Sequence, residues 1–375
     1  MSPFGSLPAG ARLERMQDSP RFSGGFFRNT APVSATLQPG SRLSTVADFL
    51  FGGQRRTPGA PLPSESPLDR WQRAPSSGLR ATWLGHSTVL VEIGNRRILT
   101  DPVWADRASP FSFAGPKRFQ PVPVAIDSLP PLDAVIISHD HYDHLDHLAV
   151  TALARRGVPF IVPLGVGAHL EAWGIPAAQI TELDWWESAS VADLTITAAP
   201  SQHFSGRGTR DRNRTLWASF AVRGPRHAFF YSGDTGFTPE YTTIRDRLGP
   251  FDLVMLEVGA FHPSWGTVHL GPENALKAHA LLGGGAFLPV HWGTFNLAIH
   301  AWDEPAETLL ALAPRHDVQL LMPRLGAPVE PAFTDRVDPW WRAIVAQEGR
   351  ASVPVTEPAE PAGEGDALGL GAPID

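Results

Sequence analysis

The pattern of apolar and polar positions changes character near residue 79. Before it, residues 1–75 are rich in Pro, Gly, Ser and Arg and hold neither a helical nor a strand period, as expected of an extended N-terminal arm. One short helix is expected near Leu43–Leu50, and Phe26 and Phe27 are the side chains available to dock the arm. From Leu79 onward, short apolar runs are separated by turn residues. Leu79–Trp83, Ser87–Ile93 and Arg96–Thr100 read as strands, with Gly94-Asn95 as a hairpin turn. Asp133–Ser138 shows little alternation, the pattern of a strand covered on both faces. Further strands are expected at Phe160–Pro163, Ile180–Leu183, Ala192–Ala198, Trp217–Val222, His227–Ser232 and Leu253–Val258.

Helices are expected at His144–Arg156, closed by Gly157, at Pro272–Leu282, with Pro in the first turn and Gly283 past the end, and at Glu304–Leu312. Ala275, His279 and Leu282 are spaced to face a core. Strands interleaved with a few helices predict an α/β (α+β layered) catalytic domain over 76–345. The Pro-, Gly-, Ala- and Glu-rich residues 346–375 predict a disordered tail.

Composition narrows the function. The 375 residues suit one large domain or two ordinary ones. A net charge of −7 argues against general nucleic-acid binding, which needs a basic surface. Cys is absent, which excludes disulfides, thiolate metal sites and cysteine nucleophiles, so a metal must be held by His and carboxylate. Arg12, Glu14, Arg15 and Asp18 interrupt any secretory leader, and no run reaches the roughly 18 apolar residues of a membrane span. A cytoplasmic protein is expected. The 12 Trp and 20 Phe leave room for peripheral contact with a membrane.

The chemistry is concentrated in S-H-D-H-Y-D-H-L-D-H, Ser138 to His147, which carries four of the 14 histidines between an apolar strand and a helix. His139 and His141 are two apart, so an extended backbone puts them on one side, and Asp143 and His144 aim at a second point. Single ligand-type residues follow other strands: His203 in P-S-Q-H-F, Asp234 in Y-S-G-D-T-G and His291 in L-P-V-H-W-G-T. The resulting arrangement puts His139, His141 and His203 on one metal and Asp143, His144 and His291 on another, with Asp234 bridging. A pair of metals acidifies a shared water and clamps both the attacking and the leaving oxygen. His and carboxylate suit Zn²⁺ and also accept Fe or Mn; two Zn²⁺ per chain are expected. His86, in a G-H-S-T turn, is expected to support the site without ligating. His147 is expected on an outer helical turn. Trp185, Trp186 and Trp292 are expected as core or pocket walls, and Lys117, Arg118 and Arg207 are candidate phosphate contacts.

This set resembles the metallo-β-lactamase superfamily and, within it, N-acyl-phosphatidylethanolamine-hydrolysing phospholipase D and its bacterial relatives. The resemblance runs from about Leu79 to Leu325. It rests on W-L-G-H-S-T (Trp83–Thr88), T-D-P-V-W-A-D-R-A-S-P (Thr100–Pro110), G-P-K-R-F (Gly115–Phe119) and S-H-D-H-Y-D-H-L-D (Ser138–Asp146). It continues through E-L-D-W-W-E (Glu182–Glu187), P-S-Q-H (Pro200–His203), S-G-D-T-G (Ser232–Gly236), G-P-F-D-L (Gly249–Leu253) and H-W-G-T-F (His291–Phe295). It implies a four-layer αββα sandwich, the seven ligands above, and a hydroxide bridging the metals that attacks the phosphorus of a phospholipid or other phosphodiester. By the same resemblance Tyr142 and His269 contact the phosphate region of the substrate, and Asp143 and His269 carry catalytic roles. A lactonase of the sugar-phosphate type, sharing G-H-S-T, is the alternative. A redox branch with a di-iron site has Glu where this chain has His141, which argues against it. A homodimer is the default expectation for a soluble enzyme.

Overall fold

Strands β3 (Leu79–Gly85), β4 (Thr88–Ile93), β5 (Arg96–Thr100), β6 (Ala134–Ile136) and β7 (Phe160–Pro163) are sealed on both faces, and their alternation shows why. Ala81, Trp83, Val89, Val91, Ile98, Ala134, Ile136 and Ile161 point into one core. Leu84, Leu90, Leu99, Val135, Phe160 and Val162, one residue out of step, point into another. The side-chain period of a strand is two, so successive residues serve opposite layers. The computed structural model describes residues 2–33, 53–262 and 267–351. The helix expected near Leu43–Leu50, and the tail from 352 onward, lie outside the described residues.

With β8 (Ile180–Leu183) and β15 (Pro328–Val329) these strands form a seven-stranded sheet ordered β15-β3-β4-β5-β6-β7-β8, antiparallel from β15 to β5 and parallel from β5 to β8. A second, six-stranded sheet comprises β9 (Ser188–Val191), β10 (Leu194–Ala199), β11 (Ser219–Arg223), β12 (Ala228–Tyr231), β13 (Leu253–Glu257) and β14 (Ala286–Val290). It is antiparallel from β9 to β12 and parallel from β12 to β14. The first core joins the two sheets, with Phe220, Phe229, Phe230 and Tyr231 contributed by the second. Removing one such ring, as in Phe230→Ala, costs about 3–5 kcal/mol.

Helices close the outer faces. Leu145, and Val150 and Leu153 from α3 (His147–Arg155), with Leu170 from α4 (Gly167–Ala172), cover the first sheet. Ala275, Leu276 and Ala278 of α6 (Gly271–Leu281), with Ala306 and Leu309 of α7 (Glu304–Leu312), pack on the core of the second. The result is helix, sheet, sheet, helix, the expected αββα layering.

Strand and helix ends differ from expectation by a few residues. The largest difference matters for chemistry: α3 begins at His147 instead of His144. Asp146 caps it, its side chain accepting Leu148 N at 2.9 Å, and His141 O accepts from the backbone N of both His144 (3.1 Å) and Leu145 (2.8 Å) in a tight turn. Asp143 and His144 therefore sit in a loop, free of helical direction.

The arm is more ordered than its composition suggested. It forms α1 (Ala11–Gln17) and the two short strands β1 (Phe22–Ser23) and β2 (Phe26–Phe27). Met16 and Phe27 are buried in the main core, while Phe26 lies at the surface beneath the guanidinium of Arg214. Arg12 pairs with Glu171 at 2.7 Å and with Glu182 at 2.8 Å. α8 (Trp341–Ala351) runs across the boundary expected at 345/346.

Candidate metal centre

Every candidate ligand sits just past a strand, at one edge of the two sheets. His86 follows β3, Asp101 follows β5, and His139 to His144 follow β6. His203 follows β10, Asp234 follows β12, and His291 follows β14. Carboxyl ends of parallel strands gather at one edge because each connection carries the chain back to the start of the next strand. His86, Asp101 and His291 hold φ of 52°, 32° and 65°, the left-handed region that side chains resist. Three residues of one site in that region show that the surrounding packing overrides local preference.

The structure brings the seven expected positions together in two groups. His139, His141, His203 and Asp234 form one; Asp143, His144 and His291, joined by His86, form the other. Within each group the donor atoms lie within 4.8 Å of one another. His141 Nδ1 faces His139 Nε2 at 2.8 Å and His203 Nε2 at 3.4 Å. Asp143 Oδ2 faces His86 Nε2 at 3.0 Å, His291 Nε2 at 3.3 Å and His144 Nε2 at 3.5 Å. Asp234 addresses both groups. Its Oδ1 lies 3.1 Å from His144 Nε2; its Oδ2 lies 3.1 Å from His291 Nε2, 3.7 Å from His203 Nε2 and 3.9 Å from His139 Nε2.

Partners behind the imidazoles set which nitrogen faces inward. His144 Nδ1 donates to Asp101 Oδ2 at 2.6 Å and His203 Nδ1 donates to Val268 O at 2.9 Å. His139 Nδ1 donates to Ser138 Oγ at 2.9 Å, whose own hydroxyl donates to Asp101 Oδ2 at 2.5 Å. Each ring then turns its Nε2 to the centre, the atom that coordinates a cation once it carries no proton. Tyr231 OH also donates to Asp101 Oδ2, and Ser138 N donates to Oδ1 at 2.7 Å.

The donor set fits cations. His144 Nε2 and Asp234 Oδ1 are buried without a hydrogen-bond partner although only 3.1 Å apart. Burial opposes ionisation of Asp143 and Asp234, yet the neighbouring His144 and His291 hold both carboxyls well below the usual range. The balancing charge falls on imidazoles: despite burial, Asp234 and Asp143 drive His291 up to about 10 and raise His144 as well. His139 and His203, by contrast, are pushed well down by burial and stay neutral. Ionised carboxylates among crowded, largely inward-facing imidazole nitrogens are what a divalent cation satisfies.

His86, expected to support the site without ligating, stands within the second donor group. Its Nε2 donates to Asp143 Oδ2, and burial together with nearby His291 lowers it to about 3. His269 approaches the centre, its ring 5.2 Å from that of His203 and 5.4 Å from that of His291. Its Nδ1 faces both oxygens of Glu257 at 3.2 Å, and this carboxylate raises its pKa against the effect of burial. His147 stands on the first turn of α3 beside Trp173, as expected. Trp185 and Trp292 are buried in the core, Trp292 stacked on Trp83, and Trp186 packs partly buried against it.

Several expectations are corrected. The hydroxyl of Tyr142 donates to Arg207 O at 2.7 Å, and burial pushes its pKa to about 12. Arg207 is no surface phosphate contact. It is buried, stacked 4.1 Å from the Tyr142 ring centre, and donates to Asp140 O (2.6 Å), Leu145 O (3.0 Å) and Pro3 O (2.8 Å). Arg118 is likewise buried and spent on Val103 O (2.6 Å) and Ala105 O (3.2 Å). Lys117 lies exposed on a loop. Arg207 holds the ligand loop and Arg118 the segment after β5, and composition could not distinguish such internal cations from phosphate-binding ones.

Sequence reasoning assigned no role to Asp101, Asp140 or Glu257. Asp140 accepts from Gly206 N (2.7 Å), Thr215 Oγ1 (2.8 Å) and His169 Nε2 (3.2 Å), which fastens the ligand loop; His169 keeps it ionised despite burial. The signal for Asp101 and Glu257 was available: each is an acidic residue ending an apolar run, in R-I-L-T-D and L-V-M-L-E.

Comparison with known proteins agrees with this geometry. The family model described as "Beta-lactamase superfamily domain" matches residues 96–292. An uncharacterized protein of Mycobacterium tuberculosis is 47% identical over 331 residues, 87% of this chain and 88% of its own. N-acyl-phosphatidylethanolamine-hydrolyzing phospholipase D 1 of Caenorhabditis elegans is 44% identical over 59% of this chain and 65% of its own. The mitochondrial enzyme of that name from Saccharomyces cerevisiae is 35% identical over 62% of this chain and 51% of its own. The match thus spans under two thirds of each named phospholipase. Among solved structures, the metallo hydrolase Igni18 of Ignicoccus hospitalis superposes with a TM-score of 0.51 at 23% identity, over 67% of this chain and 97% of its own. Among the described residues no helix is long and apolar enough to cross a membrane. Matched over half its length, and carrying His and Asp clusters able to bind metal, the chain belongs to the metallo-β-lactamase superfamily as a metal-dependent hydrolase.

Proposed function

We propose that the chain is a phosphodiesterase of the phospholipase D type. Its substrate would be an N-acyl-phosphatidylethanolamine-like phospholipid, and His139, His141, His203, Asp143, His144, His291 and Asp234 would hold two zinc ions. The observation that carries the metal assignment is Asp234, whose two oxygens reach both ligand groups. The lipid reading is supported by the two relatives with that printed activity, at 44% and 35% identity.

When bound, the ions would supply Lewis acidity at a phosphoryl oxygen and acidify a water. The chain's own groups do the rest. Asp101, Ser138 and Val268, by engaging the Nδ1 atoms, would leave the Nε2 atoms of His139, His144 and His203 to hold the ions. Asp143 is steered by His86. His269, charged more readily than an ordinary imidazole, can donate a proton to the departing oxygen and is held for it by Glu257. The P–O bond to the ethanolamine oxygen breaks, the water oxygen joins phosphorus, and phosphatidic acid and N-acylethanolamine leave. Tyr142 enters as a wall of the neighbouring cavity, since its hydroxyl is committed to Arg207 O.

The test is incubation of metal-replete protein with N-acyl-phosphatidylethanolamine in detergent micelles, with and without chelator, following both products by mass spectrometry. Chelator-sensitive release of both supports the reading. Cleavage of an aryl phosphodiester without lipid turnover removes the lipid; inactivity on both, with metal bound, directs attention to lactones.

A further inference from the structure

The loop between β5 and β6 has an unusual build. Residues 106–118 read D-R-A-S-P-F-S-F-A-G-P-K-R. Arg107 and Lys117 face each other in an antiparallel bridge at its stem, with Ala108 N donating to Pro116 O (3.0 Å) and Arg118 N to Asp106 O (2.8 Å). The Arg107 guanidinium braces the loop from within by donating to Ser112 O (3.1 Å) and Gly115 O (2.6 Å), so its charge meets neutral carbonyls. Asp106 is the acidic residue at the foot.

The tip is apolar and open. Phe113 is 80% exposed and Phe111 46%, with their rings 5.5 Å apart. Phe4 of the arm meets Phe111 edge-on at 6.1 Å, and Leu148, at the start of α3, is 68% exposed. Single exposed apolar residues are ordinary, but a contiguous cluster on a braced loop marks an interaction surface. Phe111 and Leu148 also line a cavity of about 400 Å³, together with Leu145 and with Tyr142, a residue of the ligand loop. Aromatic tip, cationic stem and an adjoining cavity together match a lipid–water interface, where rings enter the acyl boundary and cations meet phosphates.

We propose that the loop Asp106–Arg118 anchors the protein to a phospholipid bilayer. Phe111 and Phe113 enter the interface, Lys117 and Arg107 lie at the headgroups, and the cavity mouth beside Leu148 faces the lipid. This names the surface from which the proposed substrate is drawn and rests on that reading for the cavity's role.

The experiment is co-sedimentation of the metal-replete full chain with sucrose-loaded vesicles of phosphatidylcholine, with and without phosphatidylglycerol, all lacking N-acyl lipid. The wild type is expected to bind, more tightly when phosphatidylglycerol is present. Phe111→Ser/Phe113→Ser should bind at least about tenfold more weakly. Lys117→Glu should weaken binding mainly to the anionic vesicles. Both tip residues are exposed, so the far-ultraviolet circular dichroism of the variant should match wild type. Absence of wild-type binding to either vesicle overturns the proposal, as does equal binding by the double variant. A wild-type dimer that falls apart in the double variant, without a change in vesicle binding, overturns it in favour of a contact between copies. Hydrolysis of soluble bis(p-nitrophenyl) phosphate by the same preparation reports on the phosphodiesterase reading separately, because it needs no membrane.

Discussion

Asp101→Asn isolates the support of the centre from the ligands themselves. Asp101 is fully buried and touches no other carboxylate of the two ligand groups directly. Its Oδ2 accepts from His144 Nδ1 (2.6 Å), Ser138 Oγ (2.5 Å) and Tyr231 OH, and its Oδ1 accepts from Ser138 N (2.7 Å). An Asn has one accepting oxygen, and its amide must face either the three donors at Oδ2 or the backbone donor at Oδ1. Both orientations set donor against donor in a buried site, and both remove the charge that fixes the His144 ring. Losing such a partner of a ligand costs about 10–100-fold in metal affinity, or roughly 1.4–2.7 kcal/mol at about 1.36 kcal/mol per decade. Because Ser138 relays Asp101 to His139, the loss should reach both ligand groups. The measurement is competition with a fluorescent zinc chelator, with metal content after dialysis read by mass spectrometry and folding followed by circular dichroism. Wild-type affinity at both positions in a folded Asp101→Asn protein would show that ring orientation is set elsewhere and refute the reasoning.

Asp234→Ala should lower bound metal at both positions and reduce turnover by about a thousandfold or more, since it removes the carboxylate that faces both groups; metal analysis showing two tightly held ions would be incompatible with the assignment. His269→Ala should keep metal content while cutting turnover about 10²–10⁴-fold, the range of a lost proton donor; loss of metal instead would make it a ligand. Arg207→Ala should destabilise the fold by about 2–5 kcal/mol by stranding the carbonyls of Asp140, Leu145 and Pro3, read as a lower denaturant midpoint. An unchanged midpoint combined with a raised KM would return Arg207 to substrate binding. Chelation should lower the thermal midpoint, because the ions would bind only the folded ligand set.

The sequence by itself determined the chemistry of this protein. Without cysteine, and with His139, His141, Asp143 and His144 packed into one run, only a His and carboxylate centre could be built. The single candidate ligands His203, Asp234 and His291 were legible because each is a ligand-type residue at or within a few residues of the end of an apolar strand run. Strand positions were legible for a related reason: burial on one or both faces leaves a period of two or a continuous apolar run.

Only tertiary structure decided what each polar group touches. Arg118, Arg207 and Tyr142 carry the chemistry of phosphate contacts, yet buried carbonyls claim all three, because backbone groups cut off from water must be paired. Asp101 and Glu257 were legible as acidic residues ending apolar runs, but their partners, His144 and His269, were set only by the fold. The arm was legible only in part: Phe27 docks as expected, while α1 and the burial of Met16 were not foreseen. Met16 and Phe27 lie in a polar, Pro- and Gly-rich stretch, and their burial depends on a surface that exists only after the two sheets have closed.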